Sequence, residues 1–165
     1  MPAIISIVGR SQSGKTTLIE KLIPEIKRRG YRVGTIKHTH HALDIDKTGK
    51  DSSRHRLAGA DTTILAAPAE IALLKSGHSD QLEDLVGFFD DVDLLIAEGY
   101  KRSRRPKIEV VRVDRNPGPL CKDDPNLKAV VTDASLELGV PSFGLDEIGR
   151  IADFIESSFL IPGDG

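Results

Sequence analysis

The chain has 165 residues, 39% of them hydrophobic and 29% charged, with a formal net charge of −2 and a single cysteine, Cys121. That length suffices for a continuous core in one domain, residues 1–165, and the lone cysteine excludes an internal disulfide framework and fits a reducing compartment. The charge balance gives no electrostatic reason to expect nucleic-acid binding, no apolar run could span a bilayer, and the first strand begins too early for a signal peptide, so the expectation is a cytoplasmic protein without membrane attachment.

Ala3-Ile4-Ile5-Ser6-Ile7-Val8 is a β-branched run that reads as the first strand. It leads into Gly9-Arg10-Ser11-Gln12-Ser13-Gly14-Lys15-Thr16, a full phosphate-binding-loop pattern. Thr17-Leu18-Ile19-Glu20-Lys21-Leu22-Ile23 then switches to helical spacing. Strand, glycine-rich turn and helix in this order bring backbone N–H groups and a helix N-terminus onto a polyphosphate. Gly9 and Gly14 permit backbone approaches that a Cβ would block. Lys15 would place an ammonium on the outer phosphates and Thr16 would offer its hydroxyl to magnesium. The candidate nucleotide contacts are therefore Gly9, Ser11, Ser13, Gly14, Lys15, Thr16 and Thr17. The rival reading is an ordinary strand-to-helix turn around a buried glycine.

The first helix runs to about Arg29, with Lys27, Arg28 and Arg29 in its last turn, Gly30 as its stop, and Pro24 inside it expected to cost a hydrogen bond and kink it. Tyr31–Ile36 reads as the second strand and the polar stretch Lys37–Lys50 as a loop, with Asp51 or Ser52 capping a short helix through Ala58. Two strand-like runs, Asp61–Ala67 and Glu70–Lys75, are separated only by Pro68-Ala69. That connection is too short for a parallel crossover and predicts an antiparallel hairpin. A helix near Asp80–Phe89 precedes Val92–Ala97, an apolar run typical of a strand buried on both faces. Lys107–Val113, a Pro/Gly/Asp-rich loop over residues 114–126, Lys128–Thr132 and Val140–Phe143 follow, and Ile148, Ile151, Ala152 and Ile155 mark one face of a final helix. The fold class is α/β: a mixed, mainly parallel sheet flanked by helices, of the P-loop NTPase type, with the hairpin near residues 61–75.

A phosphate-binding loop needs a carboxylate near its metal, and Leu94-Leu95-Ile96-Ala97-Glu98-Gly99 supplies an apolar strand ending in an acid. Glu98 is the leading metal candidate, against the alternative of a solvated charge at a strand end. Asp93 would lie at the wrong edge of the sheet. The loop after the second strand could close over the phosphates, so that Asp44, Asp46 or Asp51 reaches the magnesium shell; Asp46 is carried as a candidate ligand. His38, His40 and His41 could bind a transition metal, or supply ordinary loop polarity and phosphate contacts. No Cys/His spacing of the usual zinc kind is present. The basic run Lys101-Arg102-Ser103-Arg104-Arg105-Pro106-Lys107 suits an anionic small molecule or an acidic partner, while RNA binding lacks the aromatic interleaving it would need. Asp133, after a late strand, could accept hydrogen bonds from a guanine base or serve as a turn acid or helix cap.

These motifs together resemble the family of protein B of molybdopterin-guanine dinucleotide biosynthesis, small phosphate-loop GTP-binding proteins. The resemblance rests on Gly9–Thr17, Ile36-Lys37-His38-Thr39-His40-His41, Asp44-Ile45-Asp46 with Gly49-Lys50-Asp51-Ser52, Ala58-Gly59-Ala60, and Glu98-Gly99-Tyr100-Lys101 leading into Pro106-Lys107-Ile108. It implies a homodimer whose sheets join across the interface, GTP and magnesium at the loop, and slow intrinsic hydrolysis. It also implies an adapter role for the cognate guanylyltransferase, protein A of the pathway, which joins GMP to molybdopterin. By position, Gly14, Lys15, Thr16 and Thr17 would hold phosphates and magnesium, Glu98 would be the metal-strand acid, and the His/Asp loop would face the nucleotide or a molybdopterin-bearing partner. The segment Val113–Asp124 is shorter and more proline-rich than the resemblance leads one to expect. The competing readings are a P-loop small-molecule kinase and a metal-delivery GTPase, with nucleic-acid binding weaker than either. No glutamine or arginine is assignable as a water-orienting group or finger, which suits at most a slow magnesium-dependent GTPase.

Overall fold

The computed structural model describes residues 1–41, 49–77, 79–114 and 118–161. The described strands are β1 (Ala3–Val8), β2 (Val33–Lys37), β3 (Thr62–Ala66), β4 (Ile71–Lys75), β5 (Leu94–Glu98), β6 (Lys107–Val111), β7 (Leu127–Thr132) and β8 (Ser142–Gly144). The helices are α1 (Lys15–Arg28), α2 (Asp51–Leu57), α3 (Leu82–Leu85) and α4 (Ile148–Ile155). The chain divides into two compact units, Met1–His38 with Leu82–Gly165, and Thr39–Gln81.

In the first unit six strands form one sheet in the order β2-β5-β1-β6-β7-β8, and every neighbouring pair is parallel. Among the described residues, antiparallel pairing is confined to β3 and β4. The fold is thus a parallel P-loop NTPase-type sheet plus a hairpin. Strand periodicity of two explains why the central strands are apolar almost throughout. Ile5 and Ile7 of β1 join Leu94, Ile96, Ile108 and Val110 under Leu18, Leu22 and Ile26 of α1 and Ile151 and Ile155 of α4. On the alternate positions, Ile4, Leu95 and Ala97 pack with Leu82 and Val86, and Val8, Val111 and Val130 pack with Cys121 and Leu127. Each such fully buried Ile or Leu stabilises by about 1.5–3 kcal/mol relative to exposure.

Helix α1 continues through Pro24, which is exposed, and ends as its sequence predicts. Gly30, at φ +95°, donates to the Lys27 carbonyl, and Tyr31 donates to that of Ile26, a Schellman pair of bonds. The predicted helix near residues 80–89 is a single α turn, α3, followed by a 3-10 turn at Val86–Phe89. Helix α4 is extended by one wider π turn, Glu156–Leu160. The basic end of α1 is tied to α4 through Arg29, whose guanidinium donates to Glu25 at 3.0 Å, to Glu156 at 2.7 Å and to the Gly149 carbonyl at 3.1 Å, and pairs with Asp153 at 2.7 Å.

In the second unit β3 and β4 pair in the register Thr62↔Lys75 to Ala66↔Ile71 around Pro68-Ala69, the expected hairpin. Helix α2 starts from Lys50 without a side-chain cap, so Asp51 lies in its first turn instead of capping it, a position the helix dipole still favours. Ile64, Leu73 and Ile71 share one face of the hairpin and are 56%, 42% and 72% exposed. Among the described residues no helix is long and apolar enough to cross a membrane.

Candidate functional site

The site forms at the C-terminal edge of the parallel strands, where β1 gives way to the loop Gly9–Gly14 and then to α1. Gly9 has φ +143°, and a Cβ built on it would lie 2.4 Å from the Val110 carbonyl oxygen and 2.7 Å from Ser13 Oγ. The loop therefore nests against β6 in a way that only glycine allows. Gln12 adopts a left-handed φ of +60° and Gly14 one of +98°, so the chain coils back on itself before α1 starts. Gly14 provides no side-chain cap, and the first turn of α1 carries no acid. The positive end of this helix, with its leading amides, is thus turned to the loop with no acid of its own first turn beside it.

Lys15 is half-buried, and its Nζ donates to the Gly9 carbonyl at 3.2 Å and the Arg10 carbonyl at 2.7 Å, so the ammonium lies over the loop. Burial lowers its pKa, the Glu98 carboxylate opposes that shift, and Lys37 adds to it. Thr16 donates its hydroxyl to Glu98 Oε1 at 3.0 Å, and Lys37 Nζ lies 3.4 Å from the same oxygen. Sheet register explains the meeting. Ile7 of β1 and Lys37 of β2 both align with Glu98 of β5, so the ends of three adjacent strands come level. Asp93 sits at the opposite end of β5, accepting the Arg32 amide at 2.7 Å, as its place in the sequence predicts.

Three observations test the fit of a triphosphate and magnesium here. Ser13 Oγ is buried in the loop and has no hydrogen-bond partner, an orphaned polar group of the kind a bound anion would satisfy. The Gly9 cradle is one that a methyl group would fill. The oxygen donors, one hydroxyl and one carboxylate, suit a small hard cation that completes its shell with water and phosphate oxygens. The residues present fit both groups. Ser11 and Thr17 lie exposed on the loop and at the start of α1.

Asp46 and Asp44 lie outside the described residues. Asp51 faces Arg54 at 3.5 Å within α2. Among the described residues no group of three or more His, Cys, Asp or Glu side chains could hold a metal ion, and the His38 ring instead packs on Tyr100 with centroids 4.9 Å apart. Asp133 follows β7, two strands away from β1 and so about 10 Å across the sheet at ordinary strand spacing. Its carboxylate accepts the Val113 amide at 3.1 Å and faces Arg112 at 3.6 Å.

The basic run divides. Lys101, Arg102 and Arg104 are exposed, Arg105 reaches Glu83 at 3.4 Å, and Lys107 is fully buried. Lys107 Nζ donates to the carbonyls of Ser103 and Arg105 and pairs with Asp124 at 3.0 Å, so this lysine fastens the loops on either side of β6. Glu109, two residues on along the same face of β6, is also buried and accepts the amides of Leu120 at 2.6 Å and Cys121 at 2.9 Å. The Cys121 thiol is pushed up to about 11, first by burial and then by Glu109, and is not a thiolate at neutral pH. The residue that sequence reasoning missed is Lys37, assigned there to a loop. It is the structure that puts Lys37 at the end of β2, level with Glu98.

The sequence matches the family described as molybdopterin guanine dinucleotide synthesis protein B over residues 4–133. It is 41% identical to a molybdopterin-guanine dinucleotide biosynthesis adapter protein of Haemophilus influenzae over 93% of this chain and 88% of that one. The adapter protein of Escherichia coli is 37% identical over 94% of this chain and 92% of its own. Among solved structures, a MobB protein homolog from Bacillus stearothermophilus superposes with a TM-score of 0.72 at 28% identity, covering 93% of this chain and 98% of that chain.

Proposed function

The chain belongs to the molybdopterin guanine dinucleotide synthesis protein B family, and from that premise we propose that it is a GTP-binding adapter of molybdopterin guanine dinucleotide biosynthesis. The observation that carries the nucleotide part is the convergence of Lys15, Thr16 and Glu98 beside the Gly9–Gly14 cradle. Backbone amides of the loop and the first turn of α1 would hold the phosphates, Lys15 would turn its ammonium from the loop carbonyls to the outer phosphates, and Ser13 Oγ would gain the partner it lacks. Thr16 and Glu98 would hold magnesium. That ion, when bound, supplies charge neutralisation between the phosphate oxygens. This reading takes hydrolysis to be weak and the role to be binding, in keeping with a sequence in which no glutamine or arginine is assignable as a water-orienting group or finger.

The partner in this reading is the guanylyltransferase of the pathway, with molybdopterin-bearing proteins as further contacts. The protein acts as a homodimer in which the exposed apolar face of β3–β4, Ile64, Ile71 and Leu73, is covered by a second copy. Calorimetry with GTP and ATP, each with and without magnesium and repeated with the guanylyltransferase present, tests the assignment. Magnesium-dependent GTP binding and complex formation are expected. Preference for ATP, with transfer to a small hydroxyl compound, would replace the adapter with a kinase.

A further inference from the structure

Lys37 is the feature of the site that the nucleotide reading leaves without a task. It is largely exposed, and an exposed lysine beside a carboxylate is ordinarily worth little. Its partner is not ordinary. The Glu98 side chain is only 13% exposed, and the one oxygen that faces Lys37 Nζ at 3.4 Å also accepts the Thr16 hydroxyl at 3.0 Å. These are the two protein groups assigned above to the metal. Lys15 gives its hydrogen bonds to the Gly9 and Arg10 carbonyls and acts on Glu98 through charge alone. The Lys37 position is not accidental. Lys37 and Glu98 are register partners at the ends of paired parallel strands, and the His38 amide donates to the Glu98 carbonyl at 3.0 Å, which fixes the pairing one residue beyond.

We infer that Lys37 is the built-in counter-ion of Glu98, holding the carboxylate neutralised beside Thr16 until a divalent cation takes its place, and that it thereby sets how strongly nucleotide binding depends on magnesium. The inference rests on the nucleotide-binding reading above. A largely buried carboxylate next to a triphosphate repels it, and the repulsion is removed by a metal ion or, in the metal's absence, by a nearby ammonium. With Lys37 in position, Glu98 can be retained for magnesium without closing the loop to metal-free nucleotide. The burial-lowered Lys15 ammonium feels Glu98 and Lys37 with opposite signs, as three charges sharing one field must.

The test is calorimetric GTP binding, in excess magnesium and in excess chelator, for the natural protein, Lys37→Gln, Glu98→Gln and the double variant. Lys37→Gln is expected to weaken metal-free binding about tenfold and to leave binding with magnesium within about twofold, because the metal then neutralises Glu98. Glu98→Gln added to Lys37→Gln should restore metal-free affinity to the natural level. Lys37→Arg, which keeps the charge, should keep the natural ratio of the two affinities. An equal loss with and without magnesium in Lys37→Gln would overturn the inference, as would no loss in either, or a double variant no better than the single. Natural protein that binds no GTP under either condition would overturn the nucleotide reading and this inference with it.

Discussion

Gly9 and Gly14 occupy the same loop and take left-handed φ values of +143° and +98°, yet they are constrained by different forces. A methyl group on Gly9 would meet the Val110 carbonyl at 2.4 Å, whereas one on Gly14 would meet nothing within 4 Å. Gly9→Ala must displace β6 or the loop, and is expected to lower stability by about 2–4 kcal/mol and to abolish GTP binding. Gly14→Ala carries the conformational cost alone, about 1–2 kcal/mol. Urea unfolding of the two variants checks the order, and a Gly14 variant weaker than the Gly9 variant would contradict it. Lys15→Ala removes the ammonium over the loop while leaving the packed core untouched. It should lose GTP binding with the melting temperature within a few degrees of the natural protein, and unchanged GTP affinity in calorimetry would reject the site. These residues were legible because the loop is contiguous in the chain: its spacing and residue types are visible without knowing what lies beside it. Lys37, 61 positions before Glu98 in the numbering, has no such local mark.

At the scale of elements, the end of α1 is held to α4 by carboxylates around Arg29. Hydrogen bonds from Arg28, then from Arg29, bring the Glu25 carboxyl from its usual 4.5 down to about 2. Arg29, with Tyr31, lowers that of Glu156 as well. Both are depressed acids, so the stability they contribute is fully present above about pH 4.5 and is lost as pH falls through that value towards 2. Acid unfolding followed by circular dichroism should accordingly show the natural protein losing stability across that window. Arg29→Met should flatten the dependence and lower the urea midpoint at pH 7, and an unaltered acid profile in Arg29→Met would contradict the assignment. The apolar runs announced their strands because every second residue of a parallel strand meets one layer of the core and the rest meet the other. Boundaries were less legible. Strand β2 begins at Val33 instead of Tyr31, since Tyr31 completes the Schellman turn that ends α1. The helix foreseen over Asp80–Phe89 shrinks to one α turn and a 3-10 turn, with only Leu82 and Val86 buried in it.

For the whole molecule, the unit Thr39–Gln81 sets the expectation of assembly. Among its described residues only Ser53 and Thr63 are buried, while Leu57, Ile64, Leu65, Ile71 and Leu73 are exposed. A two-stranded hairpin is marginally stable by itself, and this one leaves its apolar side chains exposed. Ile64→Asp combined with Ile71→Asp should therefore convert a homodimer to monomer in sedimentation velocity, and a natural protein that is monomeric at micromolar concentration would dispose of the dimer. What the amino-acid sequence determined by itself was everything carried by neighbours along the chain: the glycine-rich loop, the hairpin forced by Pro68-Ala69, the buried strand ending in Glu98 and the helix stop at Gly30. Tertiary structure alone decided the strand order, the meeting of Thr16, Glu98 and Lys37, the removal of Lys107 from the basic run into the core, and the tethering of Asp133 to Val113. The physical reason is that crossover connections let a strand lie beside any other, so side chains distant in sequence become adjacent only when the sheet has chosen its order and register.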